Sequence, residues 1–137
     1  MAKGLSHHDA LIYVMVTTAA VDGMINDVEL RRIGAIVSHL PVFADFDVDN
    51  LVPMAEACGK VLASKDGLNK VLDLIAKYVP PKLHETAYAL AVEVAAADLK
   101  IQQEEVRFLE MVSDKLDLSK LVVAAIERGA RARHRVR

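Results

Sequence analysis

The spacing of apolar residues predicts helices along the whole chain. Apolar residues recur at intervals of three and four, no stretch alternates steadily between polar and apolar residues, and glycine and proline are scarce inside the periodic segments. Prolines and Asp-Gly pairs separate these segments. The seven predicted helices cover residues 8–21, 27–40, 50–64, 68–78, 82–97, 103–116 and 119–130. We therefore expect an all-α fold.

The first two predicted helices carry clear end signals. Asp22-Gly23 ends the first helix, and Asn26 with Glu29 three residues later has the spacing of a capping box at the start of the second. Pro41 ends the second helix. The apolar face of the first helix is predicted to contain Leu11, Ile12, Met15, Val16 and Ala19, and that of the second Leu30, Ile33, Val37 and Leu40. Phe43 and Phe46 follow in a loop.

The second half of the chain aligns with the first when Asp98 is placed on Asp22, a register that we call the repeat alignment. Between residues 19–40 and 95–116, seven of the 22 aligned positions are identical, where chance gives about one or two. The identical pairs are Ala19/Ala95, Ala20/Ala96, Asp22/Asp98, Ile25/Ile101, Glu29/Glu105, Arg31/Arg107 and Leu40/Leu116. The predicted core positions Leu30, Ile33 and Ile36 pair with Val106, Leu109 and Val112. We predict two duplicated helical hairpins related by pseudo-two-fold packing.

The duplicated motif also resembles a known family. Ala-Ala-x-Asp-Gly-x-Ile-x-x-x-Glu begins at Ala19 and returns, with Leu99 in place of the glycine, at Ala95. This doubled helix junction, together with Leu-Asp-Leu-Ser at 116–119, is similar to the TerB-like tellurite-resistance family and to the N-terminal domain of DjlA-type membrane co-chaperones. The resemblance covers the chain from about Asp9 to Leu118. It implies an all-helical, non-enzymatic bacterial domain acting in tellurite, metal or oxidative stress.

The resemblance further implies a metal site formed by Asp22, Glu29, Asp98 and Glu105. An aspartate at the end of one helix and a glutamate in the first turn of the next can point into one cleft, so two copies could bring four carboxylates together. Ligands that are all oxygen favour calcium, magnesium or manganese over zinc.

The same four acids also have a structural interpretation. Asp22 and Asp98 would bond to turn amides, and Glu29 would complete a capping box and complement the helix dipole. The spacing differs from that of the 12-residue calcium loop between two helices. Both interpretations remain open at this level.

The charge is distributed unevenly. The chain of 137 residues has a net charge of −2, but residues 1–127 hold 12 basic and 19 acidic side chains and therefore carry −7. The remaining basic residues are Arg128, Arg131, Arg133, Arg135 and Arg137. We accordingly divide the chain into a helical domain, 1–127, and a basic C-terminal tail, 128–137. An acidic body excludes a uniformly basic nucleic-acid-binding protein, so no specific nucleic acid is expected.

The tail and the helical faces offer alternative functions. The arginines could contact a polyanion or the surface of a membrane, form a frayed or disordered solubilising end, or dock on an acidic body. The helical faces, together with Phe43, Phe46 and the tail, could instead recognise a protein partner, in the manner of a co-chaperone.

Catalytic chemistry is not indicated. The single cysteine, Cys58, lies among small residues in a helix and is predicted to be a buried hydrophobic side chain. His7 and His8 are predicted to be exposed and inert, and no nucleophile, base and oxyanion donors come together in sequence. No apolar run is long enough to span a bilayer. We expect a cytoplasmic protein that is not an enzyme.

Overall fold

The computed structural model describes residues 4–20, 25–97 and 103–136, which contain seven α-helices and no strand. The helices are α1 (His7–Ala19), α2 (Asp27–His39), α3 (Leu51–Ala63), α4 (Gly67–Tyr78), α5 (His84–Ala96), α6 (Gln103–Lys115) and α7 (Lys120–Arg133). Single turns of 3₁₀-helix occur at Pro41–Phe43, Val48–Asn50 and Pro81–Leu83. The predicted all-α class and the number of helices are confirmed. Within these ranges, the length and hydropathy that a membrane-spanning helix requires are not met by any helix.

Helix α1 is the centre of the fold. It packs against α3 and α5 and also contacts α2, α4 and α6. Every residue from Ala10 to Thr18 is buried. The prediction of a single apolar face was therefore too narrow, because neighbours surround α1 on all sides and bury Tyr13 and Val14 as well. The buried Thr18 hydroxyl is satisfied by donating to the Val14 carbonyl oxygen at 2.7 Å.

Helix α2 begins as predicted but is only shallowly buried. The backbone N–H of Glu29 donates to Asn26 Oδ1 at 2.8 Å, and the backbone N–H of Asn26 donates to Glu29 Oε1 at 3.0 Å. These two bonds complete the capping box. Only Ile33 and Val37 of this helix are buried. Leu40, which was predicted to face the core, is 37% exposed.

Helices α2 and α6 are partners in the repeat alignment but bury different faces. α6 buries Phe108 and Val112. The repeat alignment pairs them with Arg32 and Ile36 of α2. Each of these lies one position before a residue that α2 buries, Ile33 or Val37. One position corresponds to a roll of about 100° around the helix axis. Val106, a predicted core position, is 45% exposed for this reason. The neighbours of the two helices differ: in the described residues α6 packs against α1, α4 and α5, whereas α2 packs mainly against α1 and the two 3₁₀ turns that follow it.

The junction between α3 and α4 needs the residues Asp66 and Gly67. Asp66 adopts a left-handed conformation with φ of 59°, which aspartate tolerates better than most residues. A Cβ atom at Gly67 would lie 2.3 Å from the carbonyl oxygen of Leu62. Glycine is therefore required by this close approach of two backbone segments.

The loop after α2 is fixed to the start of α1. His8 Nε2 bonds to the carbonyl oxygen of Val42 at 2.8 Å, and its ring lies 5.6 Å from that of Phe43 and 5.5 Å from that of Phe46. Phe43 is buried. Phe43 thus belongs to the core, and His8 is a half-buried contact between α1 and the loop rather than an exposed, inert residue.

Candidate metal site between the two hairpins

Two of the four predicted metal ligands fall within the described residues. Glu29 lies in the first turn of α2 and Glu105 in the first turn of α6. Asp22 and Asp98 lie outside the described residues. The geometry of the site therefore rests on the two glutamates.

Glu29 and Glu105 line the same small pocket. Its walls come from the end of α1, the part of α2 from Glu29 to Ile36, the end of α5 and the start of α6. The lining residues are Ala19, Glu29, Arg32, Ile36, Val94, Ala97 and Glu105. The glutamates of the two sequence copies thus border one pocket.

The two glutamates have different surroundings. Glu29 is half-buried and uses Oε1 to accept the Asn26 amide, so its structural interpretation is correct in this respect. Glu105 is 6% exposed and is the one acidic or basic side chain that is buried among the described residues. Burial of a carboxylate is costly unless polar partners compensate for the lost water, and Glu105 has such a polar interaction.

The pocket also contains a cation of the chain itself, Arg32. The repeat alignment pairs Arg32 with Phe108, which is fully buried. Arg32 instead borders the pocket and forms no ion pair within the described part of the chain. The pocket therefore combines two carboxylates with one guanidinium group.

The donor set suits a hard cation but is incomplete in the described residues. No group of three or more His, Cys, Asp or Glu side chains suited to a metal ion occurs in residues 4–20, 25–97 and 103–136. Calcium and magnesium take about six or more oxygen ligands, some of them water. A site in this pocket therefore requires oxygen ligands beyond Glu29 and Glu105. Asp98 directly follows the pocket residue Ala97 in the sequence, and Asp22 comes three residues after Ala19.

Cys58 does not take part in this site. Its Sγ atom lies 3.4 Å from the Thr17 hydroxyl in the core, and burial raises the pKa of the thiol to about 11. The burial that the sequence predicts for this cysteine is thus confirmed, and a buried thiol with a raised pKa is a poor nucleophile.

The predicted basic tail continues α7 and is partly docked on the body. Helix α7 extends to Arg133, so the predicted boundary at 127/128 falls inside a helix. Arg133 and His134 bond to the two oxygens of Glu93 on α5, at 2.6 and 2.5 Å. Partial burial by itself raises the pKa of Glu93, but these two partners outweigh it and lower the pKa below the usual value. Sequence reasoning did not identify Glu93, because nothing local marks a contact across 40 residues.

Other residues of α7 have different surroundings. Glu127 accepts a short hydrogen bond from the Tyr88 hydroxyl, and Ala130 is buried against the body. Arg128, Arg131 and Arg135 remain exposed to solvent. The α7 helix is therefore part of the packed domain, while most of its arginines face outward.

Comparison with protein families decides the relationship that the motif suggests. The family model described as Tellurite resistance protein TerB matches residues 8–128. The chain belongs to the TerB family. The match includes α1 to α6 and the first two-thirds of α7, so the family's domain spans the paired helices as well as α4 between them. Searches of curated proteins and of solved structures gave no significant match.

Proposed function

We propose that this TerB-family domain binds a divalent cation in the pocket between its two hairpins and acts without catalysis in the response to tellurite, metal or oxidative stress. The observation that carries the cation proposal is the presence of Glu29 and Glu105 in one pocket. The stress role rests on the family match alone.

The chemistry of the donors favours hard cations. Carboxylate oxygen is the preferred donor for calcium, magnesium and manganese, and the described residues that line the pocket include no cysteine or histidine that would favour zinc or copper. The proposed ligand set is Asp22 and Glu29 from the first copy and Asp98 and Glu105 from the second. A cation among these acids would offset their mutual repulsion and join the starts of α2 and α6.

Thermal unfolding in the presence of calcium, magnesium or manganese tests the cation proposal. A cation that binds the native state at a hundred times its dissociation constant stabilises the domain by about 2.7 kcal/mol, which raises the melting temperature by several degrees. We expect this shift for at least one ion in the wild type and its loss in the double variant Asp22→Ala/Asp98→Ala.

A matched control removes the same charge elsewhere. The double variant Asp45→Ala/Asp49→Ala lacks two exposed aspartates of the loop before α3 and should keep the full shift. If all three ions leave the wild-type melting temperature unchanged, or if both double variants lose the shift equally, the cation proposal is wrong.

A further inference from the structure

An open groove with a largely apolar lining lies between α2, α5 and the end of α7. Its apolar walls are lined by Ile36 and Leu40 of α2 and by Ala89 and Leu90 of α5, and Arg133 of α7 also lines it. The groove follows α5 from Thr86 to Glu93, about two helical turns or 10 Å. It is distinct from the glutamate pocket, although Ile36 lines both.

The groove positions of α2 have covered counterparts on α6. The repeat alignment places Ile36 on Val112 and Leu40 on Leu116. Val112 is 0% exposed and Leu116 is 4% exposed, whereas Leu40 is 37% exposed. The same apolar positions are thus buried in one hairpin and open in the other.

One groove position of α5, Ala89, shows the same contrast with α1. The repeat alignment, continued into these helices, places Ala89 on Tyr13 and Leu90 on Val14. Tyr13 is 4% exposed whereas Ala89 is half-buried, but Leu90, at 2% exposed, is buried like Val14. On the α5 side, the groove therefore differs from the other side of the molecule at Ala89.

Helix α4 occupies the corresponding place on that other side. It packs against α1, α3 and α6, and its Asp73 forms a 2.6 Å ion pair with Lys115 of α6. The repeat alignment places Lys115 on His39, which lines the open groove. Helix α3 packs along α1 as α7 packs along α5. The helices α1, α3 and α6 around α4 thus correspond to α5, α7 and α2 around the groove.

We propose that an amphipathic helix of a partner protein docks in the groove, in the place that corresponds to α4. Its apolar stripe would follow the spacing of the buried Val71, Leu72 and Ile75 of α4. An acidic side chain would face His39, as Asp73 faces Lys115, while Arg133 keeps its ion pair with Glu93. Burial of the exposed apolar wall drives the docking, which is the usual mode of a helix in a groove.

The α4 segment itself supplies a probe of the right chemistry. A fluorescent peptide with the sequence of residues 66–79 is titrated with the full chain, whose own α4 already occupies the other side. We expect binding with a dissociation constant between about 10 µM and 1 mM, because a short peptide must also be ordered as a helix. A peptide with Leu72→Asp and Ile75→Asp should not bind.

Two variants of the domain locate the site. Ala35→Glu adds bulk and charge at an exposed position that lines the groove, and we expect at least a tenfold loss of peptide affinity. Ala124→Glu makes the same change on the exposed side of α7 and should leave the affinity unchanged. Amide chemical shifts should change along residues 35–40 and 86–93 in the wild type.

Four results would overturn the proposal: no binding by the wild type up to about 1 mM, equal binding by both variants, shift changes concentrated on α1, α3 and α6, or a homodimer that Ala35→Glu dissociates. The third result would mean that the peptide replaces the chain's own α4. The last would mean that a second copy of the chain, not a partner helix, fills the groove.

Discussion

Glu29 and Glu105 stand at matching positions of the two hairpins and line the same pocket. Their roles are nevertheless unequal, because Glu29 also caps its own helix while Glu105 is a buried carboxylate. The two copies of the motif therefore place their glutamates in different surroundings of one pocket.

The two roles of Glu29 can be separated by substitution. Glu29→Gln keeps an oxygen that can accept the Asn26 amide, so we expect a stability change below about 0.5 kcal/mol, while cation affinity falls because a charged ligand is lost. Asn26→Ala removes the cap and should cost about 1 kcal/mol. Urea unfolding and calorimetric titration measure the two effects. A large loss of stability in Glu29→Gln with unchanged cation affinity would show that Glu29 is only a cap.

Arg32 should weaken cation binding. A guanidinium group within the pocket repels a divalent ion, and we expect Arg32→Gln to raise the affinity several-fold at low ionic strength. Arg31→Gln is the matched control, because it removes the same charge from the residue before Arg32, which lines a different groove. Calorimetry at two salt concentrations checks both. Equal affinities of the two variants would show that Arg32 does not influence the site.

Because α6 is rotated about its axis relative to α2, substitutions at Phe108 and Val106 should change the free energy of unfolding by very different amounts. Phe108 is fully buried, and Phe108→Ala should cost about 3–5 kcal/mol through lost contacts and the cavity left behind. Val106→Ala should change stability by less than about 0.5 kcal/mol, because Val106 is 45% exposed. Urea denaturation compares the two. A larger cost at Val106 would mean that α6 presents the face expected from the alignment with α2.

Local signals explain what the sequence predicted correctly. Asn26 and Glu29 mark the start of α2 because a capping box is formed within four residues, and Asp66-Gly67 marks a turn for similarly local reasons. The duplication also singled out Glu29 and Glu105, which line one pocket. These features depend little on distant parts of the chain.

Long-range packing explains what could not be predicted. The exposure of Val106 follows from the neighbours that surround α6, and no property of α6 alone defines them. The contact of His8 with Val42 and that of Arg133 with Glu93 join residues 34 and 40 positions apart. Periodicity identifies an apolar face, but the fold decides how much of it is covered.

The contact of Glu93 with α7 should depend on pH. Because the pKa of Glu93 is lower in the folded chain, its ionised form stabilises the fold above about pH 4.5, the ordinary value, and this contribution is lost as the pH falls through the folded pKa. Exposed ion pairs contribute only about 0–1 kcal/mol, so Glu93→Gln should cost no more than this at pH 7.

Unfolding free energies at about pH 7, 5 and 3 check this dependence. The difference between wild type and Glu93→Gln should shrink on acidification, whereas Glu56→Gln at an exposed position of α3 should cost little at any pH. A difference that grows towards pH 3 would contradict the assignment.

The stoichiometry of manganese binding, followed by electron paramagnetic resonance, tests the shared site most directly. Glu105→Gln and Glu29→Gln are compared with the wild type after circular dichroism has shown that each variant is folded. We predict one Mn²⁺ per chain, with an affinity that falls at least about tenfold in either variant, because both copies contribute ligands to one ion. Two Mn²⁺ per chain, with each substitution abolishing only one of them, or no bound Mn²⁺ at all, would contradict a single site shared by the two hairpins.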